Sequence, residues 1–389
     1  MLSIPEEPAK VVPYGTLPLF PLWSRHFTLR VPDHLCYTDS RGRKKMRDSF
    51  LVICLTLLVT GSASARTWYI TYSGSGDAPT IQAGIDSASA GDTVLVACGT
   101  YVESDIAMKS GIVVSSETGE ADCVVIDAGW VGHAFNCYGC EETTLIKGFT
   151  LTHGNPPFPG WGGAVISLDA SAQFINCVFT DNAANKGGGA CCQGGSPIFT
   201  GCLFSNNLGG DAGALFLDGA AATLTECTFT GNFSMLGGTI WCSNGSPRLM
   251  NCTFYANPAD AGSQIYCYFE GSPMIENTII AYSSLGPAVR CEDETNSPTL
   301  TCCDLYGNAG DWTGCIEDQS GMNGNFSAEP LFCDPAVGNF RLENCSPCMP
   351  GYHPDEYDCG GVIGAFGSGC ACGSASAPTS WGAIKAMYQ

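Results

Sequence analysis

Positive charge is scarce in this sequence. Of 389 residues only 16 are Lys or Arg, against 37 Asp or Glu, for a formal net charge of −21. The stretch through Ala65 holds 8 of those cations and 5 of the acids, so residues 66–389 keep 8 basic and 32 acidic groups. That balance excludes a basic nucleic-acid footprint and repels polyanions. Charged residues of both signs make up only 14%. His is rarer still: five residues, of which only His133, His153 and His353 follow Ala65. The apolar run Phe50–Val59 falls well short of the ~20 residues a membrane-spanning helix needs. What is abundant is apolar and small: 45% apolar residues, 49 Gly and 24 Cys. That apolar share suffices for a large core and excludes global disorder.

The N-terminal region reads as an address. A basic run (Arg41, Arg43, Lys44, Lys45, Arg47) precedes the short apolar run, and small residues end at Ala63-Ser64-Ala65. This is the pattern of a secretory signal peptide at 46–65, cut near Ala65. Met46 is well placed as its start, so residues 1–45 read as a mis-called extension. Export to an oxidising compartment fits the 22 Cys that remain, and disulfides are expected there. The expected location is secreted or attached to the outer membrane or cell surface, with no transmembrane span after cleavage.

Beyond residue 175 the chain repeats itself. Cys177, Cys202, Cys227 and Cys252 stand 25 residues apart, and after one inserted residue the frame reaches Thr278 and Cys303. Two residues on come Phe179, Phe204, Phe229, Phe254, Ile280 and Leu305; five on come Asn182, Asn207, Asn232, Asn257 and Asn308. Glycine pairs such as Gly187-Gly188 and Gly237-Gly238, and Ser-Pro pairs such as Ser196-Pro197 and Ser246-Pro247, keep the same frame. Each repeat offers three short alternating apolar stretches separated by turn residues, and no helical stripe. Leucine-rich and helical repeats are thereby excluded. The reading is all-β: a single-stranded right-handed parallel β-helix with three short strands per turn of about 25 residues. Turns stacked ~4.8 Å apart place equal positions in ladders, with Phe filling the core and Asn satisfying backbone at a bend. An amphipathic segment at 80–90 places Ile81, Ile85 and Ala88 on one face before Gly91, and predicts an N-terminal capping helix. Thr93–Ala97 is then expected to open the first of roughly ten turns. The expected organisation is a β-helix over 66–372, with regular repeats at 176–301, Cys-rich closing turns at 302–372, and a tail at 373–389.

Several blocks carry a resemblance. TIQAGIDSASAGDTVLVACGTYVE, SETGEADCVVIDAG and GFTLTHGN look like the opening of the bacterial secreted pectin-lyase-like right-handed β-helix superfamily. CVFTDNAANKGGGA and CTFTGNFSMLGGTI resemble the repeats of polymorphic outer-membrane proteins. The closing PLFCDPAVGNFRLENCSPCMPGYHP…CGGVIGAFGSGC resembles the last turn of such secreted proteins. The resemblance covers about 66–372. It implies the fold, and it admits lyases, hydrolases, epimerases, adhesins and inert scaffolds alike.

The rung spacing lies inside the disulfide window of ~4.4–6.8 Å between Cα atoms. Cys177–Cys202, Cys227–Cys252 and Cys242–Cys267 are therefore expected pairs, and Cys98 with Cys123 is a further candidate. The competing reading is a stack of buried thiols acting as small hydrophobes. The nine Cys at 302–372 call for cross-links. Cys137-x-x-Cys140 and Cys345-x-x-Cys348 have metal-ligand spacing, but isolated pairs on an exported chain read better as half-cystines. No metal and no cofactor is expected.

Catalytic signatures are thin. The resemblance implies that polyuronate lyases of this fold carry an Arg-x-Pro-x-x-Arg pattern and clustered cations, whereas the cations here are scattered (Arg66, Lys109, Lys147, Lys186, Arg248, Arg290, Arg341, Lys385). The Asn-Thr-Asp, Asp-Asp and Gly-His-Gly motifs of its hydrolases, and the Tyr-Gly-x-Asp-Pro-His motif of its epimerases, are also missing. Asp181 and Asp211, on adjacent turns at different offsets, and His153, beside the loop 153–162, are the weak catalytic candidates. Solvated turn aspartates and a structural histidine explain them more simply. One column is different. If Ala190, Leu215, Ile240 and Ile265 point inward with Cys192, Leu217, Cys242 and Cys267, then Cys191, Phe216, Trp241 and Tyr266 point out, with Tyr268 and Asp218 two residues on. Stacked rings on a flat outer face beside a carboxylate suit a sugar or a protein partner. The function expected is thus a secreted or cell-surface scaffold without catalysis, a monomer binding a polysaccharide or surface partner along this face. The alternative is a divergent lyase or glycoside hydrolase.

Overall fold

The computed structural model describes residues 64–259 and 263–373, and in the N-terminal unit (Met1–Ser64) Arg41 and two short strands. Those strands, Cys36–Thr38 and Lys44–Met46, pair antiparallel. The expected signal peptide and tail lie outside the described residues, apart from Met46, Ser64, Ala65 and Gly373.

From Ala65 on, the chain is a parallel β-solenoid. Its first sheet has ten strands, from Thr67–Ile70 to Thr299–Thr301; the second has nine, from Gly99–Val102 to Asp304–Tyr306; the third has eight, from Ile106–Ala107 to Val289–Cys291. Every neighbour within these three sheets is parallel. Parallel pairing follows from the repeat itself, because equal residues of successive turns meet at one rung. The register bears this out: Phe179 aligns with Phe204, Phe229, Phe254, Ile280 and Leu305. Their rings stack at 4.4–5.0 Å from Phe179 through Phe254, and Phe174 stacks on Phe199 at 5.0 Å. All six phenyl groups are fully buried, each burial stabilising by about 1.5–3 kcal/mol.

Two corners flank the second sheet. Both demand a left-handed residue. The first holds Gly148, Asn176, Gly201, Glu226, Asn251, Asn277 and Cys302; the second holds His153, Asp181, Asn206, Gly231, Ala256, Tyr282 and Gly307. Asn, Asp and Gly are the residues that accept this conformation at least cost. One position after the second corner runs the Asn ladder. Asn207 Oδ1 accepts from the main-chain N–H and the amide of Asn182, and Asn207 Nδ2 donates to Phe179 O at 2.9 Å and to Asn232 Oδ1. Asn182, Asn207, Asn232 and Asn257 are buried, so the corner's polar groups are answered inside the protein. The paired glycines have a steric cause: a Cβ on Gly188 would stand 2.4 Å from Gly213 O on the next turn.

The capping helix is shorter than its sequence pattern and sits elsewhere in the order. It spans Ile81–Ser87, capped by the Thr80 hydroxyl on Ala83 N–H, and buries Ile81, Gly84 and Ile85. Ala88 turns extended after its N–H bonds Gly84 O and Ile85 O, which ends the helix before Gly91. Thr93–Val96 does not open the first turn. It pairs with Thr67–Ile70, an earlier strand, so the helix lies within the first turn.

The cysteine ladder corrects the disulfide expectation. Cys177, Cys202, Cys227, Cys252, Cys242 and Cys267 are all free and buried. The ladder sulfurs stay as thiols that reach main-chain carbonyl oxygens: Cys202 Sγ reaches Phe174 O at 3.4 Å and Thr200 O at 3.6 Å, and Cys227 Sγ reaches Phe199 O and Thr225 O, both at 3.4 Å. Cys98–Cys123 does form, with Cα atoms 4.7 Å apart. The closing segment is cross-linked by Cys302–Cys359, Cys333–Cys370 and Cys345–Cys372, and Cys291–Cys315 ties it to the last rung. Neither Cys137 nor Cys140 is in a disulfide, and Cys348 is a buried thiol against Asp304.

The closing block folds back over the outer face of the second sheet. Phe332, Phe340, Leu342 and Ile363 pack on Tyr255, Ile279 and Ala281 there. Asn251 Nδ2 donates to Val362 O, and Ala365 N–H donates to the Thr253 hydroxyl. Asp304, in the same outward column, is buried beneath the block, where its carboxyl group accepts from Ala328 N–H and the Cys348 thiol.

Candidate functional site on the third sheet

The outer face of the third sheet carries the aromatic column that alternation predicts. Cys191, Phe216, Trp241, Tyr266 and Arg290 align strand by strand, and beside them run Gln193, Asp218, Ser243 and Tyr268. Ring centroids are 5.7 Å apart for Phe216–Trp241, 4.7 Å for Trp241–Tyr266 and 4.9 Å for Trp241–Tyr268.

The face is less open than expected. Phe216 is 3% exposed and Tyr266 6%. The turns before each strand carry Trp161, Lys186, Asp211 and Leu236 at the 25-residue spacing, and of these Trp161 and Lys186 pack against Phe216, while Tyr266 lies against Trp241, Arg290 and Glu292. Main-chain bonds lock the turns: Lys186 N–H to Gly160 O, Asp211 N–H to Asn185 O, Leu236 N–H to Gly210 O. The Lys186 ammonium lies 4.6 Å from the Phe216 ring centre and 5.2 Å from that of Trp161, within cation–π range. What remains open is a staircase of half-buried Trp241, Tyr268 at 39% exposure and Phe269 at 58%.

Polar groups border this staircase. Asp218 Oδ1 accepts from Ser243 Oγ at 3.0 Å and Asn244 Nδ2 at 2.8 Å. The Tyr266 hydroxyl donates to Glu292, and Arg290 stands over the Tyr266 ring at 5.4 Å. Burial, then the Glu292 carboxylate, push the Tyr266 phenol upward, so it stays a donor. Trp241 Nε1 is buried with no hydrogen-bond partner among the described residues. Burial also raises the Asp211 carboxyl, against the opposing pull of Lys186.

The three weak catalytic candidates do not converge. His153 and Asp181 are successive corner residues linked through the main chain, His153 N–H to Asp181 O at 3.3 Å. Asp181 Oδ2 accepts from the adjacent Thr180 hydroxyl. Asp211 stands in the edge column with Lys186. Sequence reasoning missed two other pairs, each spanning one irregular turn. His153 Nδ1 lies 3.0 Å from Asp127 Oδ1, with the exposed Trp130 ring 4.8 Å away. His133 Nδ1 lies 2.9 Å from Asp105 Oδ1, and its Nε2 is 2.9 Å from Trp161 O. Burial of Asp105 disfavours its charge, but the hydrogen bonds from His133 outweigh that and hold its carboxyl below the usual value. No short-range signal marks these pairs, because the partners are 26 and 28 residues apart. Among the described residues no three His, Cys, Asp or Glu gather as metal ligands.

Residues 133–286 match the family described as right handed beta helix region. Together with the sheet register, that match makes the chain a right-handed parallel β-helix. No curated protein matches the sequence. Among solved structures, the chain is similar to the pectin methylesterase PemA from Erwinia chrysanthemi, at 12% identity and TM-score 0.43 over 68% of this chain and 94% of that one. The pectin methylesterase from Aspergillus niger is similar at 15% identity and TM-score 0.42, over 70% and 92%. Likeness at this level says nothing of the chemistry of this chain.

Proposed function

We propose that this chain is an exported, monomeric β-helix scaffold that binds a glycan or a surface partner without transforming it. The proposed layout is a signal peptide at 46–65, preceded by a mis-called extension at 1–45, a scaffold at 66–372 and a tail at 373–389. The five disulfides among the described residues support an oxidising compartment. Among the described residues no helix is long and apolar enough to cross a membrane. The observation that carries the binding reading is the open staircase Trp241–Tyr268–Phe269, bordered by Asp218 and Asn244. Aromatic faces take the apolar side of a sugar ring, and the adjoining carboxylate and amide take its hydroxyl groups.

A glycan array probed with the purified chain tests it. Binding is expected, with loss in Tyr268→Ala, whose exposed ring makes it the safer variant for folding, and in Trp241→Ala. Binding that survives both substitutions refutes the placement. One observation favours a second reading, a divergent polysaccharide-degrading enzyme: the Asp127–His153 pair beside Trp130 orients an imidazole as a general acid or base would need. New reducing ends or unsaturated products from the same polysaccharides, abolished by His153→Gln, would establish that reading instead.

A further inference from the structure

A second site lies on another face and does not depend on the aromatic staircase. Where the closing block ends over the second sheet, a groove of about 740 Å³ opens, within the usual size of ligand sites. Its floor is the outward face of three rungs, with Val178, Leu203 and Thr228 in one column and Ser205 and Thr230 in the next. Phe340 and Phe366 of the closing block stand over it, and the corner residues Asn176 and Glu226 border it.

The column through the floor shows why the groove starts where it does. Thr228, Thr253, Ile279 and Asp304 align on successive rungs. The block answers Asp304 with Ala328 N–H and Thr253 with Ala365 N–H. One rung further the block supplies no such partner: the Thr228 hydroxyl is buried and unpartnered among the described residues, and Thr230, two residues on, is half-buried in the groove.

The lining selects the ligand class. It includes no Lys, Arg or His, and its charged members are Glu120 and Glu226, so a polyuronate or phosphate finds repulsion and no counter-charge. Hydroxyl and amide groups alternate with apolar surface from Val178, Leu203 and Phe366. We infer that this groove binds a neutral oligosaccharide, laying an apolar sugar face against Phe366 and hydrogen-bonding its hydroxyl groups to the Ser/Thr/Asn floor.

Isothermal titration calorimetry of the full chain against cellohexaose, xylohexaose, mannohexaose and laminarihexaose tests this, with hexagalacturonate and chitosan hexamer as charged probes. At least one neutral hexaose is expected to bind, and hexagalacturonate is not. Phe366→Ala, a partly exposed position, and Thr230→Val, which keeps the side-chain shape of a half-buried floor residue, are each expected to weaken binding about tenfold. The inference is overturned if no neutral hexaose binds, if only a charged hexamer binds, or if both variants bind the neutral sugar as tightly as the parent chain. The last outcome would place the sugar on the aromatic staircase alone.

Discussion

Replacing Asp304 by Asn is expected to stabilise the protein, and to do so more at higher pH. Asp304 is fully buried beneath the closing block. Burial dominates and raises its carboxyl from the ordinary 3.8 to about 8, against the hydrogen bonds from Ala328 N–H and the Cys348 thiol. The folded chain therefore keeps a proton at Asp304 that the unfolded chain loses above about pH 4. Stability associated with this group is full below that pH, falls as pH rises towards 8, and levels off above the folded value. Each pH unit in the window costs roughly 1.4 kcal/mol, so at pH 7 the penalty is on the order of 4 kcal/mol. Asn cannot ionise. Its Oδ1 keeps an acceptor for Ala328 N–H, and its Nδ2 offers a donor to Cys348 Sγ. Urea unfolding at several pH values between 4 and 8, with disulfides intact, gives the difference between the two proteins and cancels every other titrating group. The expected difference is small at pH 4 and widens to a few kcal/mol at pH 7–8. A difference that stays constant with pH would refute the assignment of a buried proton to Asp304.

Two further expectations follow from the ladders. Asn207→Ala removes one link of a buried chain and takes away the partner of the Asn182 main-chain N–H and the Asn207 amide donated to Phe179 O, so it should cost about 3 kcal/mol in urea unfolding; Asn206→Gly, at a left-handed corner that suits glycine, should be nearly neutral. Alkylation under non-reducing conditions should modify Cys177, Cys202, Cys227 and Cys252 only after denaturation, whereas Cys302, Cys333, Cys345, Cys359, Cys370 and Cys372 should need reduction first; a cross-linked Cys177–Cys202 peptide would contradict the thiol ladder.

The repeat made the solenoid legible because one period places like residues on successive rungs, and like residues are what a stacked core and a stacked bend require. The same logic misled for cysteine. Rung spacing falls within disulfide range whether or not the sulfur atoms bond, and these sulfurs are buried thiols that reach main-chain carbonyls, those of Phe174 and Thr200 for Cys202. Alternation correctly placed Phe216, Trp241 and Tyr266 on one outward column. It gave no hint of the cover over Phe216, since Trp161 and Lys186 share a column without sharing chemistry. The fold-back of the closing block was equally hidden, because it has no period.

The corner columns also weigh on the question of catalysis. A left-handed residue is required once per turn at the second corner, and His153, Asp181, Asn206, Gly231 and Ala256 all fill it in turn. Asp181 is explained by that backbone requirement, as Asn206 is at the same place one rung later, and its carboxylate is engaged by Thr180. Asp127 is different. It is not a corner residue, and its carboxylate accepts from both Gly129 N–H and the His153 ring. If any acid–base chemistry operates on this scaffold, it is Asp127→Asn, not Asp181→Asn, that should abolish it, and a loss in the Asp181 variant alone would overturn the corner argument.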